Sequence, residues 1–151
     1  MKDMAVWDIF TNPVFAPAIT AWFIAQLLKV ILTWVSSKKM DMSRFIGSGG
    51  MPSSHSSLVM AVTTAIGLGQ GFDSYMFGLA LTVALVVMYD AAGVRRAAGD
   101  QARILNRVVG FIFHEEEFNH KQLKELLGHK PIEVLAGAIL GVATAVAFYL
   151  A

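Results

Sequence analysis

Four apolar runs separated by polar segments dominate the chain: residues 14–35, 54–69, 75–89 and 132–150. The first and the last are about 20 residues long, the length that a helix needs to cross the hydrocarbon core of a bilayer. The second is short for a span, and the 70–74 turn, with its glycine and aspartate, separates it from the third. This pattern predicts an all-α integral membrane bundle with about four transmembrane helices.

The segment between the third and fourth runs is polar, but its periodicity is still helical. Apolar side chains recur on one side of residues 101–113, and residues 118–127 predict another short helix, closed by Gly128. Helices of this kind lie on the membrane surface or pack on the bundle. We therefore expect one membrane-embedded domain, residues 1–151, with short cytoplasmic or interfacial helices beside the spans.

Composition agrees with a membrane protein and excludes several function classes. Hydrophobic residues make up 56% of the chain and charged residues only 15%, whereas about 25% is usual in soluble domains. The net charge of +1 argues against nucleic acid as a partner. The absence of cysteine excludes disulfides, thiolate metal sites and cysteine nucleophiles.

The basic residues indicate which side of the membrane each loop faces. Lysine and arginine are concentrated in residues 36–50 and 90–131, and the 70–74 turn contains neither. By the positive-inside rule the two basic segments face the cytoplasm. For a bacterial source this membrane is the plasma membrane. We expect the polar residues that are candidates for chemistry to lie at its cytoplasmic side.

The most informative polar stretch, residues 49–57, leads into the second apolar run. Pro52 suits the first turn of a helix, and Ser53 or Ser54 can cap it. A helix start exposes N–H groups and the positive end of a dipole, which together bind anions. His55 then stands beside any phosphate held there. The alternative is a capped helix with an incidental histidine.

A second histidine precedes the last run. If that helix begins near Pro131, His129 lies at its cap and Glu133 lies one turn further on. This spacing lets a carboxylate hold one imidazole nitrogen and leaves the other nitrogen for nucleophilic attack. The alternative is a capping histidine with a glutamate at headgroup level.

Three cations are candidates for holding an anion at this face. Lys29 lies within the first run on the same helical face as Gln26, and intramembrane charges usually face a polar interior. A lysine there can also extend its ammonium to the lipid headgroups. Arg95 and Arg96 follow the third run, where they either bind phosphate or form the positive flank of a span.

Two motifs resemble those of the type 2 phosphatidic acid phosphatase superfamily, which also includes the vanadium haloperoxidases. Pro52-Ser53-Ser54-His55 is similar to its Pro-Ser-Gly-His motif. Residues 128–137, with His129 and Glu133, resemble its last motif, in which an aspartate follows a nucleophilic histidine by four residues. With residues 89–96, the ensemble looks most like the divergent family related to these phosphatases.

The resemblance implies a role for each matched residue. His129 would be the nucleophile that forms a phosphohistidine, and Glu133 would orient it. His55 would protonate the leaving alcohol and then activate water. Ser53 and Ser54 would hold the non-bridging phosphate oxygens. The resemblance implies no metal and no other cofactor.

Two motifs depart from the superfamily pattern. Its first motif is a lysine, six residues and then Arg-Pro. Here Lys38 and Arg44 are one residue closer, and Phe45 stands where proline is expected. Leu123 occupies the position of an arginine six residues before the nucleophile. Other cations must therefore form the phosphate clamp.

We expect that clamp to consist of Arg95 or Arg96 with Lys29, and Lys124 is held in reserve. Arginine suits this task because its guanidinium binds phosphate through two parallel hydrogen bonds. Asp90 would pair with one of these cations. Asp90 is also the candidate ligand for a divalent cation, since carboxylates bind such ions.

These observations predict a membrane lipid phosphatase that acts on a phosphomonoester or diphosphate through a phosphohistidine. Phosphatidate, phosphatidylglycerol phosphate and polyprenyl diphosphate are the candidate substrates. One alternative is a non-catalytic membrane protein that binds anionic headgroups. Another is a small transporter component, suggested by Gln26 and Lys29 inside a span. A homodimer is a further expectation on packing grounds.

Overall fold

The computed structural model describes residues 6–38, 50–112 and 129–151, and all regular elements in these ranges are helical. A short 3-10 helix, Val6–Thr11, precedes five α-helices. These are α1 (Phe15–Ser37), α2 (Ser54–Gln70), α3 (Tyr75–Ala92), α4 (Val94–Ile112) and α5 (Pro131–Leu150). The predicted all-α bundle is confirmed. The helix predicted over residues 118–127 lies outside the described residues.

Local sequence signals fix the helix ends. The Ser53 and Ser74 side chains accept hydrogen bonds from Ser56 N and Phe77 N, which caps α2 and α3. Gly71 ends α2 with a φ of 95°, a conformation that glycine adopts without steric cost. Pro131 opens α5, where its missing N–H costs nothing.

The bundle is built with small residues inside and large apolar residues outside. Its buried core consists of Ala18, Ala21, Ala61 and Ala145. Large side chains such as Phe23, Leu79 and Ile139 are exposed instead. Lipid tails are as apolar as leucine, so helices in a bilayer associate through close packing of small residues. This distribution fits a protein whose outer surface meets lipid.

The central helix is α2, which packs against α1, α3 and α5. Its closest approach is to α5. A methyl group at Gly137 would overlap the Ser53 carbonyl oxygen, and one at Gly141 would overlap the Ser57 carbonyl oxygen. The two glycines are four residues apart, the small-residue spacing that lets two helix backbones meet.

Three described segments are long and apolar enough to cross a membrane: Phe15–Val35, Tyr75–Phe111, which includes all of α3, and Pro131–Leu150. The remaining predicted span, α2, has 17 residues and buries five hydroxyl residues along its length, Ser54, Ser56, Ser57, Thr63 and Thr64. It is therefore the short, polar centre of the bundle. Among the described helices α4 packs on α3 alone, and its apolar Ile104, Leu105 and Val108 remain exposed, as in a helix at a membrane surface.

Candidate functional site

The two histidines, Glu133, the two serines and Lys29 converge where α2 and α5 begin and α3 ends. Two backbone hydrogen bonds join these segments. Ser53 N donates to the Glu133 carbonyl at 2.9 Å, and His129 N donates to the Ala91 carbonyl at 3.0 Å. These bonds hold the two histidine-bearing segments in one cluster, although they lie 74 positions apart in the chain (129 − 55).

The His129 imidazole is held by Glu133. Nδ1 of His129 lies 3.0 Å from Oε2 of Glu133, and the same oxygen accepts from Lys130 N at 3.2 Å. An ionised carboxylate only accepts hydrogen bonds, so Nδ1 carries the hydrogen and Nε2 carries the lone pair of the neutral ring. The side chain is 1% exposed. Glu133 therefore sets both the orientation and the tautomer of a buried imidazole.

His55 lies in the first turn of α2, next to His129. The centroids of the two rings are 6.2 Å apart, and the rings are inclined at 66°. The His55 residue is half-buried, whereas His129 is fully buried. Two imidazoles at this separation can act on one small group bound beside both, one as nucleophile and the other as proton donor.

Lys29 reaches this cluster from the middle of the first span. Its ammonium donates to Gln26 Oε1 at 2.8 Å and to Ser54 Oγ at 3.0 Å. The residue is 2% exposed. Lys29 therefore faces the bundle interior at the start of α2 and does not extend to the headgroups.

The two serines have different surroundings. Ser53 Oγ accepts from Ser56 Oγ at 3.0 Å and caps α2, while its N–H bonds to Glu133. Ser53 stays a predicted phosphate ligand, and its hydroxyl oxygen and N–H also make these contacts within the fold. Ser54 differs because its hydroxyl contacts the Lys29 ammonium.

Three further predicted residues lie where α3 ends and α4 begins. Asp90 is half-buried in the last turn of α3, beside the Ala91 that anchors His129. Arg95 and Arg96 belong to the first turn of α4, which follows α3 directly. Lys124 lies outside the described residues. Within the described ranges no group of three or more His, Asp or Glu side chains could hold a metal ion.

Sequence reasoning missed the residues that bring the two histidine segments together. Gly137 and Gly141 of α5 receive the backbone of Ser53 and Ser57, both of which are fully buried. The Gly-x-x-x-Gly spacing inside an apolar run was the available signal. It predicts a close helix crossing, and in this bundle that crossing lies next to the cluster, where α5 meets Ser53 and Ser57.

The chain is similar in sequence to known proteins. The chain is 39% identical over 146 residues to a protein of Bacillus subtilis (strain 168) named "Uncharacterized membrane protein YuiD", covering 89% of this chain and 92% of that protein. No solved structure matches the chain significantly. Residues 10–144, which include every element of the cluster, match the signature of the family described as "Divergent PAP2 family", where PAP2 denotes type 2 phosphatidic acid phosphatase. The chain therefore belongs to the divergent PAP2 family.

Proposed function

We propose that this protein is a membrane lipid phosphatase that hydrolyses a lipid phosphomonoester or diphosphate through a phosphohistidine on His129. The observation that carries the proposal is the buried His129–Glu133 pair with His55 beside it. A carboxylate that fixes the tautomer of one imidazole, next to a second imidazole, is the arrangement that nucleophilic and acid–base catalysis require. Family membership adds weight to the reading.

The proposed reaction has two steps. In the first, the Nε2 lone pair of His129 forms a bond to phosphorus while the bond from phosphorus to the lipid oxygen breaks. Protonated His55 gives its proton to that oxygen. In the second, water attacks phosphorus, His55 takes the proton from the water, and the phosphorus–nitrogen bond breaks to release phosphate. Glu133 stabilises the positive charge that the His129 ring carries as an N-phosphoryl imidazolium.

Charge at the phosphoryl oxygens has to be balanced during both steps. In the proposal the Lys29 ammonium and the Ser54 hydroxyl provide part of this balance, because they meet at the start of α2 beside His55. The positive end of the α2 dipole adds to it, because the phosphate would lie at the start of that helix. Arg95, Arg96 and Lys124 stay proposed members of the clamp.

We expect the reaction to need no metal ion. Cationic side chains and the helix start take the place of a divalent cation at the phosphoryl group. If the reaction did require such an ion, Asp90 would be its ligand. We place the cluster on the cytoplasmic side of a bacterial plasma membrane, where basic residues flank the spans.

Phosphate release by the purified protein in detergent micelles tests the proposal. The substrates are phosphatidate, phosphatidylglycerol phosphate and a polyprenyl diphosphate, each with and without EDTA. We expect release that persists in EDTA and is lost in His129→Ala. Release that EDTA abolishes would move the chemistry to Asp90 and a metal ion. No release by folded protein would favour the headgroup-binding alternative, whose lipid binding should survive His129→Ala.

A further inference from the structure

An apolar groove lies between α2 and α3. Its volume is about 380 Å³, and its walls include Leu58, Val59, Val62 and Ile66 of α2 and Met76 and Val83 of α3. The hydroxyl of Thr63 donates to the Ala80 carbonyl at 3.3 Å, which fixes the two helices that form the walls. Every side chain in the lining is aliphatic or a methionine, so the groove suits a hydrocarbon occupant.

The groove continues the helix face that carries His55. Positions 55, 59, 62 and 66 are spaced by three or four residues and therefore form one stripe along α2. At 1.5 Å per residue the stripe runs for about 16 Å along the helix axis. At its far end the rings of Phe72 and Phe77, 5.1 Å apart, pack against Gly67. The lining of the groove thus begins about one turn along α2 from His55 and extends towards the α2–α3 turn.

We propose that this groove holds one hydrocarbon chain of the lipid whose phosphate is bound at His129 and His55. The inference rests on the proposed function and narrows its substrate class to phosphates of long-chain lipids, as opposed to water-soluble phosphate esters. The lining has no polar side chain and continues the face of α2 that carries His55, which favours a chain of the bound lipid over a helix of a second copy.

Filling the groove should separate long-chain from short-chain substrates. Val62→Trp and, independently, Val83→Trp place an indole in it, and Val86→Trp is the matched control because Val86 is 63% exposed and lies outside the lining. For dioleoyl phosphatidate we expect KM to rise about tenfold or more in both groove variants with kcat little changed, the sign of lost uniform binding. For dihexanoyl phosphatidate all three variants should match the wild type.

A second measurement on the unmodified chain does not depend on how the variants fold. Phosphatidate with a diazirine at the end of one acyl chain is photolysed on the protein, and the adducts are mapped by mass spectrometry. We expect adducts at residues 58–66 and 76–83. Adducts at other residues would overturn the inference. So would tryptophan groove variants that lose activity equally on both substrates. So would groove variants that change from dimer to monomer while their KM stays the same.

These outcomes separate the inference from the proposed function. If the wild type releases no phosphate but the probe still labels the groove, hydrolysis is wrong and the chain-binding groove stands. If phosphate is released and the groove variants do not distinguish the two substrates, the groove inference is wrong and hydrolysis stands.

Discussion

Lys29 is a charged residue in the middle of an apolar helix, and its partners explain how the bundle accommodates it. An ammonium in a bilayer is costly unless hydrogen bonds replace its water. Gln26 and Ser54 supply two of these bonds within 3.0 Å. The position of Lys29 therefore ties α1 to the start of α2.

Removing this ammonium should impair turnover more than folding. Lys29→Met keeps an unbranched apolar stem but cannot balance phosphoryl charge, so we expect phosphate release to fall about 100-fold or more. Leu27→Met, on the exposed side of the same helix, is the control and should retain activity. Release rates and thermal unfolding in detergent are measured together. A folded Lys29→Met protein with wild-type turnover would remove Lys29 from the clamp.

The tautomer of His129 should depend on the charge of Glu133. Glu133→Gln keeps a side chain of similar shape but loses the negative charge, so the hydrogen on Nδ1 is held less strongly. We expect kcat to fall about 10- to 100-fold with little change in KM. Nitrogen-15 NMR of labelled histidine should show protonated Nδ1 in the wild type and mixed tautomers in the variant. An unchanged spectrum together with unchanged kcat would mean that Glu133 serves only to cap α5.

Sequence reasoning identified the residues of the cluster more completely than their orientations. The sequence alone did not decide whether Lys29 faces the bundle interior or extends to the headgroups, because both faces of the first run are apolar. The stripe formed by Ala18, Ala21 and Ala25 does distinguish them, since small residues mark the packed face and Lys29 continues that stripe. Ser53 was predicted to bind phosphate, and the motif gave no sign that its hydroxyl oxygen also caps α2 or that its N–H also joins α5.

At the scale of elements, the crossing of α2 and α5 determines whether the two histidines meet. His55 lies in the first turn of α2 and His129 lies one residue before the Lys130 N-cap of α5, so a small shift between the helices separates them. Gly137 and Gly141 allow the contact because neither has a side chain to hold the backbones apart. The geometry of the cluster therefore depends on residues that take no part in its chemistry.

A methyl group at this crossing should destabilise the bundle. Gly137→Ala places its Cβ against the Ser53 carbonyl, and overpacking of this kind costs about 1–3 kcal/mol. Gly78→Ala in α3 is the control, since a Cβ there meets no atom within 4 Å, and alanine favours helix. Thermal unfolding in detergent should show a lower Tm for the first variant and an equal or higher Tm for the second. Equal Tm values in both would contradict the packing described here.

Helix existence and order were predictable, and helix ends less so. The last run was predicted as residues 132–150 and is Pro131–Leu150, because a proline at the first position is a strong start signal. The start of α4 was missed. Its first turns contain Arg95 and Arg96 and two alanines, and such a segment has no clear apolar period, although it continues from α3 after one glycine.

At the scale of the whole molecule, the orientation in the membrane is a prediction that the sequence makes testable. The native chain contains no cysteine, so single cysteines report on accessibility without background. Asp73 lies in the turn between α2 and α3, and Lys130 lies at the start of α5 beside the cluster; both are exposed. They mark opposite ends of the bundle because α2 separates its start from that turn.

With Asp73→Cys and Lys130→Cys in intact bacterial cells, we expect a membrane-impermeant maleimide to label only the first. The second should be labelled after the cells are permeabilised, since the positive-inside rule places its segment in the cytoplasm. The reverse pattern would put the cluster on the outer side of the membrane. The substrate lipid would then have to be one presented there.

The phosphohistidine itself provides the most direct measurement of the central claim. Wild-type protein is mixed with phosphatidate carrying phosphorus-32, quenched in alkali within milliseconds to seconds, and digested for peptide mapping. We expect alkali-stable, acid-labile label on His129 that is absent in His129→Ala. Turnover by the wild type with no label on His129, or full activity of His129→Ala, would contradict a covalent mechanism at this residue.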